Sequence, residues 1–145
     1  MSVIARRISL AIAALALAGI AVSSVSLQHH YATSKTNYCD FGENFNCDIV
    51  NRSIYSSVGG IPVALIGILG YAALLALATV YRTKSETPAI LLIASVVGLG
   101  FALYLTYIEG FVLATWCILC LSSLTVIFAI TVLSAVLVRT RLRQE

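Results

Sequence analysis

The chain has 145 residues, 60% of them apolar and 10% charged, with a mean hydropathy of +0.99. Soluble globular folds do not carry that balance, so composition places the chain in a membrane. The net charge of +3 is not a nucleic-acid footprint, because the basic residues flank apolar stretches, where they set orientation.

No charge falls between Arg7 and Lys35, Arg52 and Arg82, Glu86 and Glu109, or Glu109 and Arg139. Each gap holds the ~20 residues that a helix needs to cross a ~30 Å hydrocarbon core. The predicted spans are about 8–27, 61–81, 88–107 and 113–138. They make 1–145 a single membrane domain, an all-α bundle of four transmembrane helices.

The first span follows Arg6-Arg7 and runs through Ala21-Val22-Ser23. A secretory signal peptide has the same layout, but this apolar run is long for one, which favours a retained helix. A loop of about 28–60 leads to the second span, where Gly67, Gly70 and Ala73 recur along one face; Ala94, Gly98 and Ala102 do so in the third. Such faces predict close helix contacts. Pro62 and Pro88 fall in first turns, where a missing N–H costs little. Four crossings put both termini on one side with Arg6, Arg7, Arg82, Lys84, Arg139, Arg141 and Arg143, against Lys35 and Arg52 on the other. The positive-inside rule makes the termini cytoplasmic and the 28–60 loop exported.

All four cysteines then lie on the oxidising side, as Cys39 and Cys47 in the loop and as Cys117-Ile-Leu-Cys120 at the outer end of the last span. Residues i and i+3 on a helix share a face, so Cys117 and Cys120 can close a disulfide, and the nearby positive end of the helix dipole favours a thiolate. The alternative is a pair of small buried hydrophobes. Seven polar-rich residues separate Cys39 from Cys47. That pair suits either a mobile electron carrier or a static staple of an exported loop, and the presence of a second pair favours a relay. Zinc is disfavoured, because the chain has a single CxxC, and His29 and His30 read as loop residues at the membrane interface.

These residues resemble the vitamin K epoxide reductase family in its bacterial and archaeal branch. The likeness runs from Ser26 and His30 through Cys39 and Cys47 to Val50, Ser53, Tyr55 and Gly60-Ile61-Pro62. It continues with Tyr104-Leu-Thr-Tyr107-Ile-Glu109 and Cys117-Ile-Leu-Cys120-Leu-Ser-Ser123. Proteins similar to DsbB have the cysteine pairs in the opposite order. The resemblance implies that Cys39 exchanges with a thioredoxin-fold, DsbA-like partner, that Cys47 attacks Cys117, and that Cys120 faces a quinone of the ubiquinone, menaquinone or vitamin K type. It implies Ser53, Tyr55 and Tyr104 as further residues of the quinone site; locally, Ser53 also reads as a cap of a short interfacial helix. Many members carry a fused thioredoxin-like domain, and the end at Glu145 makes a separate partner the expectation. Animal enzymes place an Asn and a Tyr where this chain has Val63 and Leu124, which favours a plain quinone over an epoxide.

The chemistry also stands without the family. The chain has no nucleotide motif, no haem-type CxxCH and no room for a flavin domain, so electrons leaving two thiols end on a lipid-soluble acceptor. The predicted function is a quinone-dependent membrane thiol oxidoreductase supporting disulfide formation. The competing readings are a vitamin K epoxide reductase proper, a claudin-like four-helix scaffold with a structural loop disulfide, and a thiolate metal transporter, disfavoured because no span holds an ionisable residue in its middle.

Overall fold

The computed structural model describes residues 2–32, 42 and 44–145. Helix α1 covers Val3–Tyr31, a short α2 covers Cys47–Asn51, and α3, α4 and α5 cover Val63–Thr79, Thr87–Tyr107 and Ile118–Leu142. Three helical stretches among the described residues are long and apolar enough to cross a membrane: Val3–Tyr31, Thr87–Val112 and Ile118–Leu142. The 17-residue α3 is a shorter apolar helix beside them.

α1 starts at Ser2, whose side chain accepts the Ala5 N–H, one of the amides that a helix N-terminus otherwise leaves unpaired. It runs four residues past the predicted end of the first span. His29 and His30 therefore occupy its last turn instead of a loop, where they meet Asp48 and the Asn51 carbonyl of α2. Before α3, Ser57–Val58 and Ile61–Pro62 pair as a two-stranded hairpin (β1 and β2). Its turn residues, Gly59 and Gly60, have φ of 59° and 84°, the left-handed pair that a tight hairpin turn requires.

Away from the cysteines the helices are joined by an apolar core that includes Ile12, Ala16, Leu74, Leu91, Ile130 and Leu137. A Cβ at Gly67 would lie 2.8 Å from Ser23 Oγ, and one at Gly98 would lie 3.2 Å from Ile127. These two glycines thus let α3 approach α1 and α4 approach α5. Thr131 Oγ1 donates to Ser95 O across α4 and α5, and Arg141 donates to Arg82 O at the far end.

The predicted fourth span is corrected at its start. The helix begins at Ile118, five residues later than expected, and Leu113–Cys117 is non-helical. Ala114 has φ of 50°, which costs an L-residue about 1 kcal/mol and breaks the helical path. α4, in turn, continues through a π-helical turn, Ile108–Val112.

Candidate active site

Cys47 and Cys117 meet because their preceding residues pair. Phe45 and Trp116 form a parallel bridge, in which Trp116 N–H donates to Asn44 O at 2.8 Å and Asn46 N–H to Trp116 O at 3.1 Å. One residue after each pairing segment comes a cysteine. Asn46 caps α2, accepting the N–H groups of Asp48 and Ile49, so Cys47 enters a helical turn immediately. Cys47 and Cys117 are 1% and 0% exposed and belong to one buried cluster with Val50, against which Cys120 and Leu113 pack. Asn51 joins the two: its side-chain amide donates to Cys47 O at 2.9 Å and to Cys117 Sγ at 3.8 Å.

The end of α1 fixes α2 in place. Buried His29 lies 3.1 Å from Asp48 Oδ1, Arg52 Nη2 lies 3.8 Å from the same oxygen, and Arg52 Nε donates to His29 O. His30 Nδ1 is 2.6 Å from Asn51 O and 3.2 Å from Ser56 Oγ.

Cys117 and Cys120 are free thiols, and Cys47 is not among the free ones. Cys117 precedes α5 and has extended backbone, while Cys120 is in the first turn, so the two are not the helical i, i+3 pair that spacing predicts. They still interact: a hydrogen bond with Cys120 holds the Cys117 thiol below its ordinary range. Beneath them lies Glu109, 1% exposed. Its Oε2 accepts the Cys117 N–H at 3.2 Å, and Oε1 is buried without a hydrogen-bond partner among the described residues. The π turn makes room for this arrangement. At Gly110 the Trp116 ring packs so closely that a Cβ would lie 2.9 Å from it.

Cys120 and Glu109 line a cavity of about 540 Å³. Its walls are mostly apolar, with polar groups from His30, Asn51, Ser53, Tyr55 and Ser123. The small-residue faces acquire a second role here: Gly67, Gly70, Ala73, Ala94, Gly98 and Ala102 all line the cavity, so α3 and α4 face each other across a space instead of in close contact. Deeper in, Tyr71 Oη bonds Ser123 through its carbonyl at 2.9 Å and its hydroxyl at 2.8 Å.

Of the residues singled out from sequence, Cys47, Cys117, Cys120, Ser53 and Tyr55 come together at this end of the molecule. Ser53 lines the cavity, but its Oγ donates back to Val50 O and makes no cap bond to the short Ile54–Ser56 turn that it precedes, so the local capping role is not seen. Val63 lines the cavity; Tyr104, 58% exposed, and Leu124 are not on its wall. Cys39 lies outside the described residues. Sequence reading did not single out Asn51, Glu109 or Tyr71 as site residues. Glu109 did carry a signal, being the one charge between Glu86 and Arg139, and an ionisable residue inside an apolar stretch marks a site.

Residues 10–135 match the model of the vitamin K epoxide reductase family, and the chain belongs to that family. Comparison with individual curated proteins gives no match. Membership makes the protein a membrane thiol oxidoreductase; members use quinones or vitamin K as electron carriers.

Proposed function

We propose, on the premise of that membership, that the protein oxidises a thioredoxin-fold, DsbA-like partner and delivers its electrons to a membrane quinone, so supporting disulfide-bond formation. The observation that carries this reading is the meeting of Cys47 and Cys117 beside a cavity whose wall includes Cys120. The three long helices and the shorter α3 all cross the membrane on this reading, with both termini cytoplasmic and the cysteine end facing the periplasm. The 17 residues of α3 rise about 25 Å, nearly the ~30 Å core, and apolar Val80 and Tyr81 extend the segment.

The relay is a sequence of thiol–disulfide exchanges. The partner's two thiols reduce a Cys39–Cys47 disulfide and become a disulfide themselves. Cys47 thiolate then attacks Cys117 of a Cys117–Cys120 disulfide, forming a Cys47–Cys117 bond and releasing Cys120 as the leaving thiol. Attack by Cys39 on Cys47 frees Cys117 and restores the loop disulfide. Asn51, which donates to Cys117 Sγ and holds the Cys47 carbonyl, keeps the two sulfurs in register and stabilises negative charge on Cys117 as it leaves.

The cavity fits a quinone head group. Its volume of about 540 Å³ falls in the range of small-molecule sites, ~300–1,000 Å³, and an apolar wall with a few polar groups suits a flat ring with two oxygens. A quinone held there supplies the acceptor for two electrons and two protons. Cys120 and Glu109 would border it on one side and Ser53 and Tyr55 on another.

The test supplies purified protein with reduced partner and either ubiquinone or menaquinone. One quinone is expected to be reduced per partner disulfide formed. Partner oxidation without quinone consumption, or no reaction at all, would refute the reading.

A further inference from the structure

Glu109 is almost fully buried, with one carboxyl oxygen on the Cys117 N–H and the other lacking a hydrogen-bond partner among the described residues. A buried carboxylate with an unused oxygen is costly unless it does something there. The same carboxyl lines the cavity together with Cys120. It therefore stands beside both the thiol that must lose a proton and the space where a proton must be delivered.

We propose that Glu109 is the proton-transfer residue of the reaction, taking the Cys120 proton and passing it to the acceptor in the cavity; this rests on the quinone reading above. As the step runs, the Cys117 and Cys120 thiols lose two electrons and two protons and an S–S bond forms between them. Both electrons reduce the quinone to the hydroquinone. The Cys120 proton moves to the Glu109 carboxylate and from there to one quinone oxygen. The Cys117 proton leaves to water, and the second oxygen takes one from water at the cavity mouth. Glu109 ends as it began, a carboxylate. A purely structural role, accepting the Cys117 N–H to hold the segment before α5, would use Oε2 alone.

E109Q separates the two roles, because an amide oxygen still accepts the Cys117 N–H but cannot carry the proton. With dithiothreitol as donor, kcat is expected to fall about 100-fold or more, the range for loss of a general acid–base group, with KM for quinone within about twofold. E109D, which keeps a carboxylate one methylene shorter, is expected to recover part of kcat and provides the measurement should E109Q not reach the membrane. A second readout needs no quinone: in a Cys117→Ser background, alkylation of Cys120 by iodoacetamide is followed against pH. Removing the neighbouring carboxylate changes how readily the thiolate forms, so the E109Q profile is expected to shift from that of the parent. Wild-type kcat in E109Q, or an alkylation profile that does not move, overturns the proposal. Wild-type protein that reduces no quinone refutes the quinone reading and with it the delivery of the proton, while the alkylation profile still decides its removal from Cys120.

Discussion

The two ends of the bundle are built on opposite principles. At the end holding Ala5, Ala78, Leu91 and Leu137, buried apolar side chains from four helices share the packing, and any one contact is supported by several neighbours. At the cysteine end, α2, the residues before α5 and the π turn are joined by a few polar contacts, each made once: the Phe45–Trp116 bridge, Asn51 on Cys117, and Glu109 on the Cys117 amide. Apolar packing tolerates volume-conserving change, whereas a polar contact made by a single pair has no substitute. The far end therefore governs stability, and the cysteine end governs turnover.

The sharpest test of that division is removal of the sulfurs next to the cavity. Cys117→Ser and Cys120→Ser are each expected to lower quinone reduction by at least about 10⁴-fold, the scale for loss of a nucleophile, with dithiothreitol as well as with the partner as donor. Cys39→Ala is expected to abolish turnover with the partner and spare much of that with dithiothreitol. Equal loss with both donors would mean that the loop cysteine serves structure. Leu91→Ala probes the other end: a buried leucine truncation costs about 2–5 kcal/mol, read as a lower thermal midpoint, with kcat below that midpoint within about twofold of wild type. A large loss of kcat in the intact protein would break the division.

Acceptor choice sharpens the comparison within the site. Val63 on the cavity wall and Leu124 off it offer no hydrogen-bond donor, and each missing donor to a developing oxyanion is worth about 2.7–4 kcal/mol. Quinone reduction is expected to exceed vitamin K epoxide reduction by at least about 100-fold. Comparable rates in paired assays would direct attention to Tyr71 or Ser53 as the donor.

Smaller effects follow from single contacts. Asn51→Ala is expected to slow partner-driven turnover about tenfold, by loss of a hydrogen bond to a sulfur that carries charge, and to slow dithiothreitol-driven turnover less. Quench-flow mapping of the Cys47–Cys117 disulfide reads the affected step. Ala114→Gly is expected to raise stability by up to about 1 kcal/mol, since φ of 50° costs alanine but not glycine. Calorimetry in detergent measures it, and a lowered midpoint would show that the Ala114 methyl contributes contacts.

The long helices were legible because charge-free stretches in a chain this apolar have few other uses, and the cysteines because their spacing and chemistry are rare. What escaped is what has no period. The Phe45–Trp116 bridge links segments about 70 residues apart through backbone groups alone, so no side-chain pattern announces it. The small-residue faces were visible, but a glycine that admits a neighbouring helix and one that leaves space beside it read alike; on those faces Gly67 and Gly98 are tightly approached, while Gly70 meets nothing within 4 Å. Glu109 was visible as a lone charge and served as a boundary between spans, because the continuation of α4 through a π turn has no signature of its own.

The packing of Trp116 on Gly110 also gives the protein an internal optical reporter. The chain has one tryptophan, so all of its indole emission arises beside Cys117. Disulfides and quinones quench indole fluorescence at short range, while seven tyrosines contribute little when excitation is set to the red edge. On the proposed relay, each passage of electrons through Cys117 and Cys120 would change the brightness of a single fluorophore, and pre-steady-state kinetics could be followed without attaching a label.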